Sequence, residues 1–249
     1  MSVLVLKVAV GIIYLFMIVM NGLANALPFF GRTTGEVSDA YPNLLTPSGF
    51  AFSIWGLIYV LLGIMVIRIL SLNSDAFDAT SMRIFIYAFI LSSIFNGLWL
   101  LAWHSLIPWV SLLVMTGLIS SLILMYLNMP LDALWMKVPI SIYLGWISVA
   151  TILNITIVLS TTEFIFRLPE SFYFILVLLA GIGLVTLMLL RHGDVAYSLV
   201  FVWAYFAIFM RHLSEDNTLL YGASGLAGVV LLLMALFTFF TNNFAPYSD

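Results

Sequence analysis

Eight apolar stretches, each long enough to cross a lipid bilayer, constrain this chain more than any other feature. A membrane-spanning helix needs about 20 mostly apolar residues. Of the 249 residues, 64% are hydrophobic and only 8% are charged, against about 25% charged in an ordinary soluble domain. We therefore predict an all-α, polytopic transmembrane helix bundle with about eight spans. The spans are expected at residues 3–27, 47–70, 83–104, 106–128, 133–160, 171–190, 195–212 and 218–241.

The placement of the few ionisable residues argues against several classes of membrane protein. No Asp, Glu, Lys or Arg falls at mid-membrane depth, where proton-coupled and many ion-coupled carriers place such groups. A retinal-type photoreceptor needs a lysine in mid-helix, but the only lysines are Lys7 and Lys137. The absence of cysteine excludes disulfides, thiolate nucleophiles and cysteine-bound metals. A net charge of −3 without a basic tract argues against nucleic acid as a partner.

The distribution of Lys and Arg near the span ends predicts the orientation. With eight spans, the side that holds both termini collects five basic residues: Lys7, Arg68, Arg83, Lys137 and Arg191. The other side collects Arg32, Arg167 and Arg211. We therefore expect both termini in the cytoplasm and the multi-pass protein in the cell membrane. The first span is expected to stay uncleaved, because no basic region precedes it and it exceeds the usual apolar length of a signal peptide.

Three separate spans carry Trp, Tyr and Asn side chains at helical spacing. Offsets of 3, 4, 7, 8 and 11 residues keep side chains on one face of a helix. A helix that only faces lipid needs no such stripe, whereas a ligand pocket between helices does. The stripes therefore predict an aromatic-lined pocket inside the bundle. Their members are Trp55, Tyr59 and Gly63, then Asn96, Trp99 and Trp103, and then Tyr143, Trp146, Ala150 and Asn154.

The three stripes together resemble the translocator protein / tryptophan-rich sensory protein family (TspO/MBR). The family's second helix begins at a proline, with Trp eight residues on, Tyr four beyond it and Gly four further. TPSGFAFSIWGLIYVLLG reproduces these intervals with Pro47, Trp55, Tyr59 and Gly63. NGLWLLAW matches the family's third helix, and YLGWISVATILN matches its fifth. The motifs cover roughly residues 1–160, so we predict a TspO-like five-helix bundle there and three additional transmembrane helices at 161–249.

The resemblance implies a pocket for flat, largely apolar ligands such as porphyrins and sterols. The implied ligand-binding residues are Trp55, Tyr59, Asn96, Trp99, Trp103, Tyr143, Trp146 and Asn154. The chain also departs from the family. The usual Phe four residues before the first Trp falls on Ala51, between Phe50 and Phe52, and the proline before the fifth-helix Tyr falls on Ile142. The ligand identity is therefore not expected to transfer unchanged.

Some of these residues have simpler explanations, which the sequence leaves open. Asn96 and Asn154 are as well explained by hydrogen bonds to a neighbouring helix as by ligand contact. Trp103 lies near a span end, where Trp often sits among lipid headgroups. His104 could reach a ligand, but it is expected to face headgroups and water. Asn21 and Asn25 could face the same cavity, but they are expected to cap the first helix. The long polar connection at 28–46 is either functional or an ordinary connector.

We predict a non-enzymatic membrane receptor, either a sensor or a carrier, for an apolar ligand; the candidates are tetrapyrrole-like, haem-like and sterol-like molecules. No nucleophile–base pair, carboxylate dyad or phosphate loop is present, and the three histidines lack metal-ligand spacing. No catalytic residue, metal site or cofactor is therefore predicted. The alternatives are a transporter or channel-like protein for a small solute and, less favoured, light-driven porphyrin breakdown. Membrane lipid is the expected partner, and small residues on two spans allow a homodimer (Ser141 and Gly145, Ser224 and Gly228).

Overall fold

The computed structural model describes residues 2–26, 31–41, 43–131, 133–161 and 169–244. Within these ranges the regular structure is helical, without strands. The helices are α1 (Val3–Ala26), α2 (Thr34–Asp39), α3 (Ile54–Ser71), α4 (Thr80–His104), α5 (Pro108–Leu127), α6 (Leu134–Thr161), α7 (Glu170–His192), α8 (Val195–Ser214) and α9 (Thr218–Phe244). Single 3-10 turns at Gly49–Ser53 and Ser74–Phe77 precede α3 and α4.

Eight of the described helices are long and apolar enough to cross a membrane, and only the six-residue α2 is not. The predicted fold class, an all-α polytopic bundle of about eight spans, is confirmed. The last span, Thr218–Thr241, has the predicted bounds, and Leu134–Thr161 differs from the predicted 133–160 by one residue at each end. The helix α2 lies within the 28–46 connection, for which no helix was predicted.

The described chain forms two compact units. The first comprises residues 1–42 and 52–161, and the second comprises residues 43–51 and 162–249. The sequence places a boundary near residue 160 but does not separate the short segment 43–51 from its neighbours. The first unit therefore holds α1 to α6 and all three aromatic stripes, and the second holds α7 to α9.

In the first unit, α4 and α6 are the central helices. About 56% of the α4 span and 61% of the α6 span is buried, against 17% of the α1 span. Helix α4 packs against α1 and α5, while α6 packs against α3 and α5. The two central helices and α3, which packs against α6, carry the three stripes.

Lys7 is a cation near the start of the otherwise apolar α1, and its contacts explain how its charge is accommodated. Its Nζ donates hydrogen bonds to the carbonyl oxygens of Leu70 (2.9 Å) and Leu72 (2.6 Å), and it lies over the Phe77 ring at 5.3 Å from the centroid. The last carbonyls of a helix have no partner within the helix and carry partial negative charge. Lys7 therefore caps α3 and fixes the start of α1 beside the end of α3.

In the second unit, α8 packs against α9 and α7. Glycines on α7 and α9 leave room there for large aromatic rings of α8. Gly181 of α7 lies directly under the Tyr205 hydroxyl, which donates to the Leu178 carbonyl at 2.8 Å. On α9, Gly225 lies against the Phe209 ring, so that an added Cβ would meet the ring at 3.0 Å. These glycines therefore serve close packing within the unit, and the homodimer stays a prediction.

The segment 43–51 belongs to the second unit through hydrogen bonds to α8. The backbone N–H of Ser48 donates to the Ala207 carbonyl at 3.1 Å. The indole N–H of Trp203 donates to the Ala51 carbonyl, also at 3.1 Å. His212 contacts the Leu44 carbonyl through Nε2 at 2.7 Å. These bonds satisfy backbone groups of an irregular segment that would otherwise lack partners.

Candidate functional site: an aromatic cluster in the first unit

The three predicted stripes meet around Trp55. Its ring centroid lies 5.4 Å from that of Tyr59, 6.1 Å from Trp99, 6.1 Å from Tyr143 and 6.3 Å from Trp146. These residues come from α3, α4 and α6, and the helical spacing of each stripe is what turns them toward a common point. We call Trp55, Tyr59, Trp99, Trp103, Tyr143 and Trp146 the aromatic cluster.

The aromatic cluster extends from the bundle interior to α2. Trp103 stacks on Trp99 with ring centroids 5.7 Å apart, and Tyr41 lies 5.9 Å from Trp103. The indole N–H of Trp103 donates to the Thr34 carbonyl at 3.1 Å. Trp103 is only 3% exposed, so the interpretation that it sits among lipid headgroups is wrong. Trp109, by contrast, is 60% exposed, as expected for an outward-facing indole.

Phe52 is a member of this site that the sequence analysis did not single out. Its ring meets Trp146 edge-on with centroids 5.9 Å apart, and an added Cβ at Gly35 would lie 3.5 Å from the same ring. The family pattern has its Phe four residues before Trp55, where this chain has Ala51. The flanking Phe52 supplies an aromatic contact to the cluster instead.

A chain of buried hydrogen bonds runs beside the rings and joins three helices. Asn21 of α1 donates through Nδ2 to Asn96 Oδ1 of α4 at 2.6 Å, and also to the Met17 carbonyl at 2.9 Å. Asn96 in turn donates through Nδ2 to the Tyr143 hydroxyl oxygen of α6 at 3.1 Å. Asn21 therefore joins α1 to α4 through Asn96, in agreement with the alternative that it faces the interior; the Asn25 side chain lies outside the described residues.

These hydrogen bonds support the helix-packing explanation of Asn96. Asn96 and Tyr143 are fully buried. Because lipid chains offer no hydrogen-bond partners, these bonds satisfy polar groups that would otherwise be unpaired in the membrane interior. Because the Tyr143 oxygen accepts from Asn96, its own hydrogen remains free for another acceptor. A ligand contact of Asn96 or Tyr143 stays a prediction.

Two indole N–H groups in the aromatic cluster have no hydrogen-bond partner among the described residues. They belong to Trp99 and Trp146, each 3% exposed. The Tyr59 hydroxyl is also buried without a hydrogen bond of good geometry, although Asn96 lies close enough to interact with it. A buried donor without an acceptor costs about 1–3 kcal/mol. These donors are therefore the part of the site that a ligand acceptor would stabilise.

Asn154, the last residue of the third stripe, makes its hydrogen bonds away from the rings. Its Oδ1 accepts from Ser111 Oγ of α5 at 2.6 Å, and its Nδ2 donates to the Ala150 carbonyl at 2.9 Å. It lies eight residues beyond Trp146, about 12 Å along an α-helix. The structure thus joins Asn154 to α5, and its ligand contact remains a prediction without a supporting interaction.

His104 differs from its expected setting at the membrane surface. It is 2% exposed, and its Nδ1–H donates to the Leu100 carbonyl one helical turn earlier at 2.7 Å. The interpretation that it faces headgroups and water is therefore wrong. Among the described residues, no group of three or more His, Asp or Glu side chains is placed to hold a metal ion.

Charged residues occur in α2 and just before it, in the segment that Trp103 contacts through the Thr34 carbonyl. Thr33 and Glu36 form a reciprocal capping box, with the Thr33 N–H donating to Glu36 Oε2 at 2.7 Å. This bond, together with the one from the Thr33 hydroxyl, lowers the pKa of the Glu36 carboxyl below its usual value. Glu36 and Arg32 are both exposed. The described ring contacts and hydrogen bonds of the aromatic cluster include no Asp, Glu, Lys or Arg.

Eight apolar helices and a buried cluster of Trp and Tyr rings define an integral, multi-pass membrane protein with an aromatic core in its first unit. The family model for TSPO-like proteins matches residues 7–237, so the chain belongs to the TSPO-like protein family. No curated protein and no solved structure matches the chain. The family match includes α7, α8 and most of α9. It therefore extends well beyond the region 1–160, to which the recognisable sequence motifs are confined.

Proposed function

We propose that this TSPO-like protein binds a flat, largely apolar molecule of the tetrapyrrole or sterol kind at its aromatic cluster, and that it acts as a sensor or carrier for that molecule. The observation that carries the proposal is the convergence of rings from α3, α4 and α6 on Trp55, with centroid distances of 5.4–6.3 Å. Aromatic faces offer a large apolar contact area to a planar ligand, and their N–H and O–H groups add polar contacts.

The ring distances also restrict how a ligand can bind. Centroids 5.4–6.3 Å apart are in direct contact, so a flat ligand has to lie against the cluster or replace some of its ring contacts. Either mode changes the surroundings of Trp55 and Trp99. Binding should therefore be visible as a change in tryptophan fluorescence.

The stacking of Trp99 on Trp103 offers a route from ligand binding to a signal. Trp103 donates to the Thr34 carbonyl at the start of α2. A ligand that displaces Trp99 also disturbs Trp103 and, through it, the position of α2. With both termini in the cytoplasm, as proposed from the basic residues, α2 lies on the non-cytoplasmic side. A sensor could present this change to a partner there, and a carrier could use it to admit its cargo.

Replacing Trp146 by Leu tests the proposal. The variant Trp146→Leu keeps an apolar side chain but removes a ring that contacts both Trp55 and Phe52. We expect porphyrin affinity to fall about tenfold or more, because a buried Trp provides contact area and ring stacking together. The measurement is a fluorescence titration of the purified protein in lipid nanodiscs with a porphyrin.

The matched control is Trp109→Leu, which removes an indole that is 60% exposed on α5. This variant should bind the porphyrin like the unchanged protein, and both variants should keep the same helix content by circular dichroism. Equal porphyrin affinity in Trp146→Leu and Trp109→Leu would reject the aromatic cluster as the binding site.

A further inference from the structure

His212 lies in the last turn of α8 with a hydrogen-bond acceptor at each of its two ring nitrogens. Nδ1 lies 3.0 Å from Glu215 Oε2, and Nε2 lies 2.7 Å from the Leu44 carbonyl oxygen. The residue is 2% exposed, and the Phe174 ring of α7 packs against it with centroids 5.5 Å apart. Water therefore has little access to the ring to replace a bond that is lost.

The two bonds of His212 form together only if the ring carries two protons. A neutral imidazole has one N–H and one lone pair, whereas an imidazolium donates from both nitrogens. Of the two neutral forms, the Glu215 carboxylate selects the one with its proton on Nδ1, because a hydrogen bond to an ionised acceptor is the stronger one. The Nε2 lone pair then faces the Leu44 carbonyl oxygen at 2.7 Å, which is a repulsive contact. Deprotonation therefore breaks the bond to Leu44.

Few charged groups surround His212 in the described structure. Among the ring's printed contacts, only Glu215 is titratable, and its other oxygen lies 3.3 Å from Arg211 Nε. Glu170 at the start of α7 and Asp216 after α8 are both exposed. The segment 43–51 has no titratable residue, and α9 has no charged one. The ring thus has one carboxylate partner and one neutral partner, at different nitrogens.

The bond to Leu44 is one of three described hydrogen bonds that hold the segment 43–51 to α8. The other two involve the backbone of Ser48 and Ala51, further along the segment. The bond from His212 is therefore the one that holds the start of the segment. The chain runs on from this segment into Phe52 and α3, so its attachment to α8 also restrains the approach to that helix.

We propose that His212 is a pH-sensitive bridge. As an imidazolium it holds the start of the segment 43–51 on α8, and when it loses a proton at higher pH it releases that start. Imidazole is the side chain that ordinarily changes its charge between about pH 5 and 8. The bridge lies within the second unit, and its action does not depend on a ligand at the aromatic cluster.

Hydrogen–deuterium exchange of the protein in lipid nanodiscs, measured at a series of pH values, tests the proposal. Each exchange rate is divided by that of an unstructured peptide at the same pH, so that the intrinsic pH dependence of exchange cancels. The protection of residues 44–48 should fall about 3–10-fold between about pH 5 and about pH 8, because one hydrogen bond is lost. The middle of α8 should keep its protection. Protection of residues 44–48 that does not change with pH would overturn the proposal.

Histidine variants assign the pH dependence to one residue. In His212→Gln no side chain titrates at this position, so the protection of residues 44–48 should be the same at all these pH values. His192→Gln is the matched control, because it removes an exposed histidine at the end of α7. This control should show the same fall as the unchanged protein. A fall that persists in His212→Gln would overturn the proposal.

Glu215→Gln separates the bridge from a merely structural role. The glutamine side chain can accept from a protonated Nδ1, and its amide N–H can donate to an unprotonated one. The neutral ring can then keep its proton on Nε2, so residues 44–48 should stay protected up to about pH 8. Either the same fall as in the unchanged protein or a loss of protection at every pH would contradict the proposed exchange of protons at His212.

Discussion

At the scale of single residues, Asn96 joins the hydrogen bonds that cross the first unit. It accepts from Asn21 at 2.6 Å and donates to Tyr143 at 3.1 Å, and it is fully buried. Its two bonds link α1, α4 and α6 beside the aromatic cluster. In a membrane interior, where apolar side chains gain little from leaving lipid, such interhelical bonds help to fix which helices meet.

Replacing Asn96 by Leu should therefore destabilise the first unit. The change leaves Asn21 without its partner on α4 and removes the bond to Tyr143. At about 0.6–1.7 kcal/mol for an interhelical hydrogen bond in a membrane, the expected loss of unfolding free energy is about 1–3 kcal/mol. Unfolding in mixed micelles, followed by circular dichroism, measures this loss.

Asn128→Leu is the control for that experiment, because Asn128 donates to the Leu124 carbonyl of its own helix. It should have a smaller effect on the free energy of unfolding. Equal destabilisation by the two substitutions would contradict a role for Asn96 in joining helices.

At the scale of helices, the ends of α1 and α3 depend on one another through Lys7. The ammonium group bonds two carbonyl oxygens at the end of α3, at 2.9 and 2.6 Å. A cation at this position satisfies unpaired carbonyl groups and also opposes the negative end of the helix dipole. The same contact accounts for a lysine inside an otherwise apolar span.

Lys7→Met should loosen the end of α3 without unfolding the bundle. The backbone amides of residues 68–77 should exchange their hydrogens several-fold faster, because the carbonyls that Lys7 holds lose their partner. Hydrogen–deuterium exchange with mass spectrometry measures this change. Lys137→Met removes a lysine for which the structure describes no such bond, and it should leave these amides unchanged. Unaltered exchange in Lys7→Met would contradict the capping role.

Helix α2 was not predicted from the sequence, for a physical reason. It has six residues, of which Thr34, Val37 and Ser38 are buried, so it is too short to display a hydrophobic period. Its start is nevertheless marked by Thr33 and Glu36, which form the capping box. That local signal could have located the helix, but its packing against Trp103 depends on how α4 places that indole.

At the scale of the whole molecule, hydropathy was sufficient to predict the eight spans, because lipid-facing helices must be apolar along their whole length. Helical spacing was sufficient to predict that Trp55, Trp99 and Trp146 face a common interior. Spacing fixes the face of a helix but not which neighbour each residue meets. Asn154 shares a stripe with Trp146 yet bonds Ser111.

Other contributions to the site depend on tertiary contacts that no local pattern encodes. Asn21 reaches Asn96 across 75 residues of sequence, and Tyr41 reaches Trp103 from a connecting segment. The grouping of residues 43–51 with α7 to α9 likewise rests on hydrogen bonds to α8, such as that from Ser48 to Ala207. Such pairings can be found only once the helices are placed.

The central claim, that the aromatic cluster holds a flat apolar ligand, is tested most directly by extracting the purified protein with organic solvent and identifying the released molecules by mass spectrometry. The unchanged protein should release a planar, apolar compound in amounts approaching one per chain. Trp55→Leu, which removes the ring that contacts four others, should release little of it, while Trp109→Leu should release the normal amount. Release of the same compound in equal amounts from all three proteins, or of membrane lipid alone, would contradict the account.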